Sequence, residues 1–251
     1  TRMIRTLLII TGASVVLCAA ALGGAVALGG NDLARNGWTW TFRDTHDGHE
    51  ETIRFRRGDS GPRVTRTLAW EGGDTLKVEV SADVTYLQGD EASVVVTGPQ
   101  DQVDALRLSG GRLTFDDSDN VVEFGWRRHG RLNVTVTAPS VRRFEVSGSS
   151  DLSIRNYDQP SLAVLIEGTG DVDAAGRTEA VDLRISGSGE ADLAALETRD
   201  ASVRISGSGE AAGGPTGEAR IVIEGSGDVD LTRRPASVSQ SIYGSGEVHQ
   251  R

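Results

Sequence analysis

Between Val146 and Val248 the apolar residues fall two apart, in six successive copies of one short pattern. Two residues before a glycine stand Val146, Ile166, Ile185, Ile205, Ile223 and Ile242. Two residues earlier stand Phe144, Val164, Leu183, Val203 and Ile221, with Gln240 in the last copy. Past a Gly-Ser-Gly-type corner the apolar column resumes at Leu152, Val172, Ala191, Ala211, Val229 and Val248. Two residues further on stand Ile154, Ala174, Leu193 and Leu231, with Gly213 as the exception. Alternation on both sides of a corner predicts strands that turn one face to a common core. The column before the glycine is wholly β-branched, the class that suits a pleated strand. The three-and-four spacing of a buried helix face is absent.

The first glycines of the copies are Gly148, Gly168, Gly187, Gly207, Gly225 and Gly244, spaced 20, 19, 20, 18 and 19 residues apart. A near-constant period of this length predicts a solenoid. The copies run in one direction, so their strands must pair in parallel, about 4.8 Å apart. That places Ile185 over Ile166 and under Ile205. Each rung reads strand, bend, strand, return. Glycine serves the bend because a sharp corner needs backbone angles that a side chain forbids. The expected fold is all-β: a parallel β-helix, or β-solenoid, of about 20 residues per rung. No copy can bury its apolar face alone, so stability is shared between neighbours.

One polar column is equally regular. Three residues after each first glycine stands a carboxylate: Asp151, Asp171, Glu190, Glu210, Asp228 and Glu247. Stacked like charges repel, so something must compensate. One reading makes these residues ligands in a row of cation sites, calcium being the natural ion. The other makes them acceptors of turn N–H groups or of the adjacent hydroxyl, facing water. Free exchange of Asp and Glu favours the second, because a metal site of fixed geometry tolerates it poorly. The known calcium-binding nonapeptide repeat also has another motif and a shorter period.

Further segments support a family resemblance. They are Val80-Ser81-Ala82-Asp83-Val84, the run Leu87 to Gly98, and Gly111-Arg112-Leu113-Thr114-Phe115. With the Ser-Gly-Ser-Gly-Asp/Glu corners, they resemble the bacterial putative auto-transporter adhesin, head GIN domain family over about residues 75–249. The resemblance implies a right-handed β-helix and, by the family's name, an adhesin-like role. It offers no catalytic residue to carry over.

The N-terminal stretch sets the expected compartment. Arg2 and Arg5 precede an uncharged run from Thr6 to Asn31. Such a run is long enough for a hydrophobic helix that spans a bilayer. Basic residues before it and Asp32 after it orient the rest of the chain outward. A cleaved signal peptide with Ala25-Val26-Ala27 as its cleavage site is the alternative. Both readings export the remainder. Cys18 follows Val16-Leu17, which disfavours lipidation, and as the single cysteine it allows no disulfide within the chain. The net charge is −10, and Lys77 is the sole lysine among 26 basic residues. This balance argues against nucleic acid as a partner. Arginine in preference to lysine, with abundant Ala and Gly, suggests a GC-rich bacterial genome.

Between the hydrophobic run and the repeats, Trp38, Trp40 and Phe42 alternate, as do Ile53 and Phe55. Two strands around a polar loop, Arg43 to Glu51, are predicted. The loop carries Asp44, His46, Asp47, His49 and Glu50. His46 and His49 are candidate metal ligands, but their spacing fits no established ligand pattern, and a solvated hairpin tip is the reading preferred. Arg127 to His129 reads as a basic turn. The organisation expected is residues 1–31 as signal peptide or anchor, 32–62 as linker hairpin and N-terminal cap, and 63–251 as the solenoid domain.

The sequence shows no Ser/His/Asp set, no nucleophilic cysteine and no phosphate loop leading into a helix. No cofactor is expected. Glycoside hydrolysis needs only two carboxylates at a set separation, so a polysaccharide-active β-helix enzyme is the alternative. The primary expectation is an exported cell-envelope solenoid, anchored or secreted, on the periplasmic or extracellular side. Its role is binding, adhesin-like or scaffolding, its partner an envelope glycan or protein, and its membrane contact residues 6–31 if these stay uncleaved. Gln240 and Gln250 replace apolar residues in the last copy. The rung Ser237 to Gln250 is therefore expected to fray or to associate end to end with another chain.

Overall fold

The structure, a computed structural model, describes residues 62–116 and 131–250 in full. It describes residues 38–43, 50–55 and 121–123 as strand backbone. The hydrophobic run 6–31, His46 and His49 lie outside the described residues. Among the described residues no helix is long and apolar enough to cross a membrane. The chain divides into two compact units, Thr1–Ser60 with Asp117–Arg128, and Gly61–Asp116 with His129–Arg251.

In the first unit β1 (Trp38–Arg43) and β2 (Glu50–Phe55) pair antiparallel, Trp38 opposite Phe55 and Trp40 opposite Ile53. This is the hairpin that the aromatic alternation predicts. The second unit opens with β3 (Arg63–Ala69), β4 (Thr75–Val78), β5 (Ala82–Gln88) and β6 (Ser93–Pro99). A six-residue helix α1 (Gln100–Ala105) and the hairpin of β7 (Leu106–Ser109) and β8 (Arg112–Phe115) follow. Strand β9 (Val121–Glu123) belongs to the first unit, where it pairs parallel with β2. Then come β10 (Leu132–Ala138) and β11 (Arg143–Gly148). Three long strands bend through whole rungs: β12 (Asp151–Gly168), β13 (Asp171–Gly187) and β14 (Glu190–Gly207). Later rungs are broken into β15 (Glu210–Pro215), β16 (Glu218–Gly225), β17 (Asp228–Leu231), β18 (Ser237–Gly244) and β19 (Val248–Gln250).

Two parallel ladders flank the glycine corner, as the period requires. Before the corner, β4, β11, β12, β13, β14, β16 and β18 stack with Val78, Val146, Ile166, Ile185, Ile205, Ile223 and Ile242 in one column. After the corner, β10, β5, β12, β13, β14, β15, β17 and β19 stack, with Val84, Leu152, Val172, Ala191, Ala211, Val229 and Val248 in register. The five column residues from Val146 to Ile223 are at most 1% exposed. Fully burying one such aliphatic side chain stabilises by about 1.5–3 kcal/mol, so each rung added to the column contributes on that scale.

Gly207 shows why the corner repeats its glycine. Its φ is +129°, and a Cβ there would stand 2.3 Å from the carbonyl oxygen of Gly187. That oxygen accepts the Ser208 N–H at 2.9 Å. The corners are thus hydrogen-bonded rung to rung at a distance that excludes a side chain. Length differences between rungs are absorbed elsewhere. Register shifts fall between Ile154 and Tyr157, Asp173 and Gly176, and Leu193 and Thr198, at the second bend. Both ladders at the glycine corner therefore stay in phase although the period varies.

The foot of the solenoid differs in kind. Below β5 and β10 the sheet turns antiparallel through β6 and β3. Its core holds larger side chains, with Phe144 set edge-on to Tyr86 and Tyr157 at centroid distances of 5.0 and 6.3 Å. Burial raises the pKa of both tyrosines, so they stay protonated. Tyr86 donates to the Ala138 carbonyl at 2.8 Å and Tyr157 to the Ser161 carbonyl at 2.6 Å.

Candidate functional site

The acidic column of the sequence becomes one continuous stripe on the outward side of the second ladder. Asp151, Asp171, Glu190, Glu210 and Asp228 lie in direct parallel register. Glu247 continues the stripe, its N–H donating to Asp228 Oδ1 at 2.8 Å. The structure adds Asp83 at the foot, paired with Asp151. Two residues along, Asp173, Asp192 and Asp230 fall in a second outward column, with Ala212 between the last two. This sheet therefore carries carboxylates in two columns side by side.

Compensation differs along the stripe. At the foot, Arg131 bridges two rungs, 2.9 Å from Asp83 Oδ1 and 2.8 Å from Asp151 Oδ2. Asp173 accepts from the Ser153 hydroxyl at 2.7 Å and pairs with Arg155 at 2.6 Å. Asp171 Oδ1 accepts the Glu190 N–H at 3.3 Å, and Asp192 Oδ1 accepts the Ala194 N–H at 2.9 Å. Glu190, Glu210 and Asp230 have no side-chain partner among the described residues. Two unit charges about 4 Å apart in water repel by about 1 kcal/mol. That is less than one buried aliphatic of the inner column contributes, so an exposed like-charge stack is tolerated.

These contacts place several column carboxylates in the role of acceptors for backbone N–H groups. Among the described residues no three His, Cys, Asp or Glu side chains converge as a metal would require. His249 stands 3.5 Å from Glu247 at the upper end of the stripe. On the return side of the rungs a different set of pairs pins the second bend. Arg177 donates to both carboxylate oxygens of Asp158 at 3.0 and 2.6 Å, which holds that carboxyl below the usual range. Asp200 is lowered likewise, first by the Glu218 N–H and then by Arg199.

The core contains an apolar cavity of about 20 Å³ lined by Leu193, Gly213, Leu231 and their neighbours. It lies where Gly213 interrupts the inward column between Leu193 and Leu231. A void of this size is comparable to the space for one water molecule. Its lining is apolar except for Thr198, whose hydroxyl donates to the Asp200 carbonyl at 3.2 Å, and it is too small for an organic ligand.

Sequence reasoning missed Asp83 and Arg131. Val78 and Asp83 stand five residues apart, as Val146 and Asp151 do, so Val78–Asp83 is a further copy of the corner. The signal was hidden because Val80 and Ala82 replace the two glycines. Ser150 likewise replaces the second glycine of its own copy, and its buried hydroxyl donates to the Val80 carbonyl below. Arg131 reaches the stripe only because β10 lies beside β5, with Leu132 opposite Ala82.

Known structures share this fold at low sequence identity. A crystal structure of a putative adhesin from Bacteroides fragilis is similar with a TM-score of 0.61 and 18% identity, over 76% of this chain and 97% of that one. A putative adhesin from Parabacteroides merdae gives a TM-score of 0.52 and 15% identity, over 78% and 99% of the two chains. One from Parabacteroides distasonis gives 0.52 and 15%, over 78% and 100%. No curated protein matches the sequence. The sequence itself matches, over residues 74–250, the family described as putative auto-transporter adhesin, head GIN domain. With most of the solenoid inside that match, the chain belongs to the head GIN domain family.

Proposed function

We propose that this protein is an exported envelope β-solenoid that binds an extended partner, glycan or protein, along the sheet bearing the acidic stripe. The observation that carries the reading is the unbroken register of outward carboxylates from Asp83 to Asp228. A surface whose chemistry recurs about every 4.8 Å suits a partner that is itself long and repetitive, and solenoids present such surfaces. The adhesin-like family name is consistent with a binding role rather than catalysis. Export rests on the uncharged run 6–31, as a membrane-spanning helix or a cleaved signal. A right-handed coil follows from the general handedness of parallel crossovers.

The test is retention of the full chain on immobilised envelope glycans and extended polypeptides, with release of soluble products measured in parallel. Retention without product, weakened by Glu190→Gln with Glu210→Gln, is the expected outcome. Product release would establish the polysaccharide-active enzyme instead. Neither retention nor release would leave a spacer and overturn the binding role. A reporter active only outside the cytoplasm, fused after Arg251, should be active; silence there would overturn export.

A further inference from the structure

The last rung described, which contains Ser237–Gly244, is unlike the rungs below it in a way that bears on self-recognition. Strand β18 pairs with β16 along one edge, and among the described residues its other edge has no partner. Its sequence, Ser237-Val238-Ser239-Gln240-Ser241-Ile242-Tyr243-Gly244, contains no charged residue and no proline. Every strand segment stacked beneath it carries charge. Arg143 and Glu145 stand in β11, Glu167 in β12, Asp182 and Arg184 in β13, Arg204 in β14, and Glu218, Arg220 and Glu224 in β16.

Charges and prolines are the usual protection of an open strand edge. The opposite end of the solenoid has such protection: β3 exposes Arg63 and Arg66, and β7 carries Arg107 paired with Asp116. At β18 the bias is reversed. Ile242 is 36% and Tyr243 69% exposed, and these are the large hydrophobic side chains left exposed among the described residues.

We propose that β18 is the interface of a two-fold dimer, pairing antiparallel with β18 of a second copy about Gln240. The strand is self-complementary in that register. On the inward side Val238 meets Ile242 of the second copy, and the inner column closes across the junction. Gln240 meets its own counterpart, and a primary amide both donates and accepts. On the outward side Ser239 meets Ser241, and Tyr243 lies across from Ser237. No pair brings like charges together, because the strand has none. A two-fold contact uses the same patch on both copies and closes on itself, so it ends at two. The charged β3 and β7 edges are poor alternatives for a head-to-tail contact with β18.

The test uses the full chain in mild detergent with Cys18→Ser, which removes its single cysteine. Cα atoms facing each other in an antiparallel pair are about 4.5–5.5 Å apart, within disulfide reach. Gln240→Cys should therefore oxidise to a covalent dimer. A mixture of Ser239→Cys and Ser241→Cys copies should form the mixed dimer, and this pair reads the same register from outward positions that burial does not constrain. Tyr243→Lys, at an exposed position, should abolish the dimer in sedimentation while leaving the melting temperature of the dilute protein unchanged. A monomer at every concentration, assemblies that grow beyond two, or absence of both cross-links would overturn the proposal. So would a dimer that survives Tyr243→Lys with its cross-links intact.

Discussion

Ile205 and Ile242 stand at the same place in the same motif, yet the first is 0% exposed and the second 36%. The difference is made by neighbours. Ile205 is covered by Ile185 below and Ile223 above, while among the described residues Ile242 has a partner only below. Central and terminal rungs therefore share the corner motif and differ in energy. A residue's worth in a solenoid is set by how many rungs flank it, as nearest-neighbour stability implies.

The sharpest way to break this comparison is a charge in the shared column. Ile205→Asp buries an unpaired carboxylate, which costs several kcal/mol against a total stability of order 5–15 kcal/mol. It should unfold the central rungs. Ile242→Asp, at the open end and 36% exposed, should cost about 1–2 kcal/mol in dilute monomer. Arg204→Gln, on the outward side, should cost under about 0.5 kcal/mol. Thermal melts of the three would settle it, and equal melting temperatures for Ile205→Asp and Arg204→Gln would place the column on the wrong face.

A second contrast lies at the glycine corner. Alanine at Gly148 would meet no heavy atom within 4 Å, although φ is +84°. Backbone strain of that kind costs about 1–3 kcal/mol. Alanine at Gly207 faces the same strain and in addition a backbone oxygen at 2.3 Å. Urea titration should show Gly207→Ala as clearly the more destabilised; equal midpoints would mean that the rungs separate easily to admit a methyl group.

The register of both ladders, the glycine corner and the acidic stripe were legible in the sequence, because parallel stacking forces residues of one phase into one column. What was not legible lies where that rule lapses. The corner at Val78–Asp83 uses Val80 and Ala82 in place of glycine. Arg131 reaches Asp83 from 48 positions away in the chain, through the pairing of β10 with β5. The foot, where strands turn antiparallel, leaves no periodic trace. The shortest spacing, 18 residues between Gly207 and Gly225, did mark the rung that contains Gly213 and the cavity. Its meaning needed the structure, since a shortened rung can lose residues at any bend.

That short rung gives a small expected effect, of opposite sign. A Cβ at Gly213 would meet Leu193 Cβ at 3.8 Å, an ordinary contact. Glycine within a strand costs about 0.5–1 kcal/mol relative to alanine. Gly213→Ala should therefore raise the denaturation midpoint by a corresponding amount. A lowered midpoint would mean that the gap between Leu193 and Leu231 is needed.

Hydrogen exchange resolved by rung tests the dependence on neighbours most directly. In protein dilute enough to be monomeric, amides around Ile166, Ile185 and Ile205 should exchange only on global unfolding, and those of Ser237–Gly244 by local opening, far faster. Raising the concentration should protect Ser237–Gly244 and leave the central rungs unchanged. Uniform protection from Asp151 to Gln250 in the dilute monomer would contradict the account.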